Sequence, residues 1–290
     1  MQFSHFTFPI GSRACNAKCP FCISKMTGNA TIKNIDINWD RFRVACNIAK
    51  RTNNLQTALL TGVGEPTLYP DLITEYLESL QKYGDFPIVE LQTNGIKLQY
   101  DEYNEYLKTW YNHGLNTICL SAVSIYNKTN QEIYGESYPD LFYLIHKLKT
   151  FGYSIRLTIM MLKQYCDSIE IVEDIIKSCH IHDVDQLTLR PIVKSVNANE
   201  DIQKWTEDHL LSKNLVKKIY NYVDSKSTKL LELPFGANVY AFHLHGGHEQ
   251  NVCMSSCLTE TTDNNNIRQL ICWPNGRIGY SWQHEAAIIM

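Results

Sequence analysis

No stretch of about 18 consecutive apolar residues occurs in the 290-residue chain, so no segment is built to cross a bilayer as a helix. A basic excess is missing too: Lys and Arg number 27 against 30 Asp and Glu, for a net charge of −3. A general binder of RNA or DNA carries a positive field, so nucleic acid is disfavoured as the main partner. The opening segment, Met1 to Pro9, lacks the basic and long apolar parts of a secretory signal. Together these absences predict a cytoplasmic protein with no membrane partner. They also decide how the ten cysteines are read. In a reducing compartment a disulfide framework is not expected, and cysteines that cluster point to metal binding or catalysis.

What the chain does have is the composition of a folded protein, 44% apolar and 20% charged, and the length for one large α/β domain with an appendage. Short β-rich runs recur at 5–10, 57–62, 88–94, 117–123, 154–161 and 186–192. Stretches with helical apolar spacing alternate with them, at 38–53, 70–83, 101–113, 138–151, 168–180 and 204–225. Such alternation implies right-handed βαβ units and a parallel sheet. Six units predict an α/β fold, a partial (βα)6 TIM-like barrel over residues 1–225, with its site on loops at the carboxyl ends of the strands. From about residue 226 the pattern changes to strand-like runs, a polar loop at 259–266 and a turn at Pro274-Asn275-Gly276. This predicts a small C-terminal β-rich extension, 226–290, covering one mouth of the barrel.

The segment 13-RACNAKCPFC-22 follows the first predicted strand and carries Cys15, Cys19 and Cys22 at the spacing Cys-x3-Cys-x2-Cys. Three thiolates on one loop can hold three irons of a [4Fe–4S] cubane and leave the fourth without a local protein ligand. An open iron suits a chelating cofactor, and S-adenosylmethionine can offer it an amino and a carboxylate group. One electron passed to the sulfonium breaks a C–S bond and yields a 5′-deoxyadenosyl radical. That chemistry is the cofactor's, while the protein orients it and excludes water. A structural zinc site would want a fourth Cys or His at a matching spacing, and none follows nearby. A thioredoxin-like pair would have no need of Cys15.

These residues resemble the signature of the radical S-adenosylmethionine (radical SAM) superfamily, Cys-x3-Cys-x-aromatic-Cys, and further motifs follow in order to about residue 195. The resemblance makes Cys15, Cys19 and Cys22 the catalytic cluster ligands and Phe21 the aromatic residue beside the cofactor's adenine. In 60-LTGVGEPTL-68, Gly62, Gly64 and Glu65 are similar to the family's Gly-Gly-Glu motif, with Gly64 the better match because Val63 separates the glycines. That implies close backbone approach to the cofactor's methionine end, which Glu65 helps to position. By the same resemblance Thr93 and Asn94 contact cofactor or substrate, Ser121 binds the cofactor, and Arg156 meets a carboxylate or phosphate. Each has an ordinary alternative. Thr93 and Asn94 precede Gly95 in a turn-like triplet. Arg156 interrupts an apolar strand and needs a partner, from ligand or protein, and Arg190 reads as a salt-bridge residue. The resemblance also implies a reducing partner such as flavodoxin or ferredoxin.

Cys253, Cys257 and Cys272 form a second group, Cys-x3-Cys-x14-Cys. They are similar to the auxiliary-cluster region of the molybdenum-cofactor GTP cyclase group, which implies a second [4Fe–4S] cluster. The intervals differ by about one residue and the terminal glycine pair of that group is missing, so the cyclase reaction itself is not assigned. The competing reading makes them ordinary buried thiols, as Cys46, Cys119, Cys166 and Cys179 are taken to be. His243, His245 and His248, in 243-HLHGGH-248, read as substrate contacts ahead of a separate metal. Cys15 comes so early that no peptide-recognition domain is expected before the barrel. A small polar substrate (nucleotide, nucleoside, sugar or amino acid) therefore leads, ahead of a peptide or protein side chain. A non-catalytic zinc or Fe–S binding module is the alternative from outside the enzymes.

Overall fold

A computed structural model describes residues 2–26, 36–51, 55–194, 198–233, 236–255, 266–282, 284 and 286–290. In chain order, β1 (Gln2–Pro9) is followed by α1 (Ile23–Met26) and α2 (Trp39–Arg51), and β2 (Thr57–Thr61) by α3 (Pro70–Tyr83). Next come β3 (Ile88–Thr93) with α4 (Asn104–Asn112), and β4 (Thr117–Ala122) with α5 (Asn127–Tyr134) and α6 (Leu141–Thr150). Then β5 (Ser154–Met161) leads to α7 (Ile169–Ile181), and β6 (Gln186–Pro191) to α8 (Glu200–His209) and α9 (Lys213–Ser225). The single helix expected over 204–225 is thus two. Ser212 starts the second by accepting the Leu215 N–H on its hydroxyl, an N-cap that interrupts the first.

β1 to β6 pair in parallel, each with the next. The described C-terminal residues join the sheet of this barrel. They supply β7 (Ser227–Leu233), β8 (Ala237–His243), β9 (Glu249–Met254), β10 (Asn266–Cys272) and β11 (Ile278–Gly279). These strands extend the same sheet at both edges, in the order β11-β10-β1-β2-β3-β4-β5-β6-β9-β8-β7. β9 runs parallel to β6, and β10 parallel to β1. The result is an α/β fold with an open, largely parallel sheet, consistent with a partial TIM barrel and a β-rich extension.

Strand alternation divides the sheet into two faces. Phe6, Ala58, Leu60, Leu91, Ile118, Ile155 and Leu187 belong to the face buried beneath the helices. Phe8 shows the packing directly, its ring 5.3 Å from Phe42 of α2 and 6.1 Å from Tyr76 of α3. The opposite, concave face is polar. Across its strands Gln92, Cys119, Arg156 and Gln186 align in register, then Ser121, Thr158, Thr188 and Cys253, then Met160 and Arg190 nearest the carboxyl ends. Among the described residues no helix is long and apolar enough to cross a membrane.

Candidate active site

The loop after β1 is fastened to its neighbours by backbone. Ile10 N–H donates to Thr61 O at 2.7 Å, Glu65 N–H to Ala14 O at 2.9 Å, and Lys18 N–H to Tyr134 O at 2.9 Å. Gly64 permits this. A Cβ there would overlap the carbonyl oxygen of Ala14 and lie 2.6 Å from that of Ser12, both on the cysteine loop. A close approach that demands glycine is therefore made by the loop's own backbone.

Glu65 is bonded within the protein. Only 3% exposed, its carboxylate accepts from Thr67 N–H (3.0 Å), Thr67 Oγ1 (2.7 Å), Thr93 Oγ1 (2.5 Å) and Asn94 N–H (2.9 Å). Burial pushes its pKa up, and these four donors hold it back. Glu65 ties the end of β2 to the end of β3. Thr93, with its hydroxyl on Glu65, belongs to the same brace. Asn94 carries the brace onward: its amide nitrogen lies 2.9 Å from Asn16 Oδ1 and 3.8 Å from Cys15 Sγ. The bonds of these residues run to each other and to the cysteine loop.

Cys15 is exposed on this loop, and Cys19 and Cys22 are partly buried. The three thiols are near enough to act on one another. Burial, then Cys22 and Cys15, push Cys19 up to about 12, and burial chiefly raises Cys15. Among the described residues no three of His, Cys, Asp and Glu converge as a preformed metal cage. The donor set nevertheless fits iron–sulfur chemistry: three soft thiols on one loop, one of them open to the mouth, with an amide donor directed at its sulfur. A cage that closes on its metal rather than before it is common, and loading would displace the thiol protons.

Phe21 is buried, its ring edge-on to Tyr134 at 6.0 Å and tilted to Trp205 at 6.0 Å. Trp205 in turn stacks on His209 at 3.9 Å. This aromatic packing carries the cysteine loop against α5 and α8, and no local sequence signal joins residues so far apart. Ser121 stands in the concave row beside Thr158, at the end of β4. Arg156 finds its partner inside the protein, Glu90 Oε2 at 2.8 Å. Burial opposes the guanidinium's charge, but Glu90 prevails and raises its pKa. Sequence reasoning missed Glu90, although an acid inside the β-rich run 88–94 was the signal that could have found it.

The C-terminal groups separate. Cys253 stands on the concave face, in register with Thr188, and its thiol, raised by burial, is pulled down by Arg156 and Arg190. Cys272 lies on β10, beyond β1 and next to the edge strand β11, and faces the helices, buried beside Cys46 and Tyr76. Cys257 lies outside the described residues. The structure thus does not bring Cys253 and Cys272 together. The histidines are displaced as well. β9 runs parallel to β6, so the turn that precedes it lies at the amino ends of the strands, opposite the cysteine loop. There His243 meets Thr228 Oγ1 at 3.0 Å, and the His248 ring sits 5.0 Å from that of His180 at the end of α7. They are not placed to touch a substrate at the mouth.

Residues 10–179, more than half of the chain, match the model of the Radical SAM superfamily. The chain belongs to this superfamily. No curated protein sequence matches it. Among solved structures, Streptococcus suis SuiB bound to S-adenosylmethionine superposes with a TM-score of 0.61 at 13% identity, covering 96% of this chain and 60% of SuiB. Methylornithine synthase PylB gives 0.54 at 15%, covering 76% and 62%. A radical SAM methyltransferase from Sphaerobacter thermophilus gives 0.54 at 13%, covering 76% and 63%. At these identities the likeness is one of fold, and the chain spans about three fifths of each neighbour's length. The family implies a [4Fe–4S] cluster and S-adenosylmethionine.

Proposed function

We propose that Cys15, Cys19 and Cys22 hold the [4Fe–4S] cluster and that the enzyme acts on a small polar substrate seated on the concave face below it. When bound, cluster and cofactor together supply reductive cleavage of S-adenosylmethionine to a 5′-deoxyadenosyl radical, with the electron from a donor such as flavodoxin or ferredoxin. The chain's own part is orientation. The Glu65–Thr93–Asn94 brace fixes the cysteine loop over the ends of β2 and β3, and the wall of Phe21, Tyr134 and Trp205 keeps water from its underside. The observation that carries the substrate class is the concave face itself. Its rows of amide, hydroxyl and guanidinium groups would be a costly lining for an apolar substrate and a useful one for a polar one.

The test is anaerobic. Reconstituted wild type should form 5′-deoxyadenosine when given dithionite and S-adenosylmethionine, and the Cys15→Ala/Cys19→Ala/Cys22→Ala variant should form none. Cleavage retained by that variant would sink the assignment. Zinc in place of iron and labile sulfide in wild type would favour the binding-module reading.

A further inference from the structure

Within β1–β6 the charged residues, His5 apart, are Glu90, Arg156 and Arg190. Glu90 and Arg156 form an ion pair at 2.8 Å, which leaves one cation without a counter-charge in these strands. Arg190 is partly buried near the carboxyl end of β6, aligned with Met160 and one inward step beyond Thr188. Its Nε is buried and has no hydrogen-bond partner among the described residues. A charged donor left in that state is costly, so such groups persist where something outside the fold completes them. Its neighbourhood is polar: Thr188 and Thr158 lie in the row below, and its charge reaches the Cys253 thiol.

We infer that Arg190 is the anchor for an oxyanion, a carboxylate or a phosphate, carried by the substrate. The inference rests on the radical SAM reading of the site and adds the substrate's charge to it. A guanidinium offers two parallel N–H donors that match either oxyanion. The cofactor's own carboxylate is the other source of such a group, and strand order argues against it. The Gly64–Glu65 loop closes β2 and Arg190 closes β6, four strands on, roughly 19 Å along the sheet at about 4.8 Å per strand. An anion held by Arg190 faces the cysteine loop from the opposite wall, with the reacting part of the molecule free to reach across the mouth.

The probes are inorganic phosphate and succinate, added separately to the reconstituted full-length protein at constant ionic strength balanced with chloride. Melting temperature is the readout, and S-adenosylmethionine affinity is measured by equilibrium dialysis in parallel. Wild type should be stabilised by one or both oxyanions and not by chloride; the effective one tells a phosphorylated substrate from a carboxylate one. Arg190→Gln should weaken that binding ~10-fold or more, the loss of a charge-assisted bidentate contact, while Arg156→Gln should weaken it far less. Arg190→Lys keeps the charge and loses the fork, so it should be weakened a few-fold. If Arg190→Gln does not fold, the Lys variant decides alone. The inference is overturned if neither oxyanion stabilises wild type, or if the Arg190 variants bind it as well as wild type does. It is equally overturned if Arg190→Gln loses S-adenosylmethionine affinity tenfold, because the guanidinium would then belong to the cofactor. Failure of the radical reading would show separately, as no 5′-deoxyadenosine from wild type.

Discussion

The two walls of the barrel mouth are built on opposite rules. On the cysteine side the buried charge is fully engaged: Glu65 takes four donors, Thr93 and Asn94 each supply one of them, and the Asn94 amide reaches the cysteine loop, where Asn16 Nδ2 is left buried without a partner among the described residues. On the far side, β5, β6 and β9 carry rows of hydroxyl, amide and thiol groups that bond to one another, Gln186 to Asn251 and Thr158 to Cys119, together with a guanidinium whose buried Nε is unmatched among the described residues. The difference is one of task. A wall that must hold a metal cluster in one place needs its buried charge fully engaged, whereas a wall that receives a charged ligand needs a charged donor not yet used. The buried acids mark the contrast. Glu65 is surrounded by neutral donors and works as a brace, and Glu90 faces a cation and sets which arginine is left for a ligand.

The largest break in this comparison comes from the closest contact on the cysteine side. Gly64→Val puts a branched side chain where even a Cβ overlaps the Ala14 carbonyl. The obstruction is backbone, so the cysteine loop itself must move. We expect iron per chain and 5′-deoxyadenosine formation to fall together, by tenfold or more in activity, in a protein that still gives a native circular dichroism spectrum. A variant that keeps its irons and loses only S-adenosylmethionine affinity would return Gly64 to the direct cofactor contact that its motif implies.

A smaller effect sharpens the far wall. Glu90→Gln leaves Arg156 partly buried without its counter-charge. Breaking a buried pair costs ~3–5 kcal/mol, and the value here should sit at or below the lower end because the Arg156 side chain keeps 35% of its exposure. The double variant Glu90→Gln/Arg156→Gln should recover part of the loss in urea denaturation, since no uncompensated charge remains. If the two single losses simply add, the pair is not the unit proposed, and the claim that within β1–β6 Arg190 is the cation without a counter-charge among the described residues weakens with it.

How much of this was legible beforehand follows from how local each signal is. The strand at 154–161 and the helix at 70–83 match to the residue, because apolar periodicity is written within one turn or one pleat. The cysteine triad and Gly64-Glu65 were visible as spacing and motif, yet their bonding was not. Which acceptor Thr93 would choose, or that Gly64 would face Ala14, depends on segments brought together from 28 and 50 residues apart. The placement of the extension's strands was hidden for the same reason. Nothing local to 249–254 says that it pairs with β6, nor to 266–272 that it pairs with β1. Its strands were readable and their partners were not.

The smallest expected effect bears on that extension. Cys272 is 2% exposed, in the layer between sheet and helices with Cys46 and Tyr76 for neighbours, while Cys253 faces the concave side beside Thr188. Two thiols on opposite faces and at opposite flanks of an open sheet cannot ligate one cubane without rebuilding β10. Cys272→Ala should therefore act as a core substitution: about 1 kcal/mol of stability lost, no iron lost, and wild type and variant both near four irons per chain, one cubane each. Suppose instead that careful reconstitution brings wild type to about eight irons and Cys272→Ala to about four. Cys272 would then have to turn out of the helix-facing core on loading, the β10–β1 pairing would have to give way, and the auxiliary cluster that the cysteine spacing implies would be restored. Amide exchange across β1 and β10, before and after reconstitution, distinguishes the two. Unchanged protection with four irons keeps both edges of the sheet as described, and loss of protection with eight removes one of them.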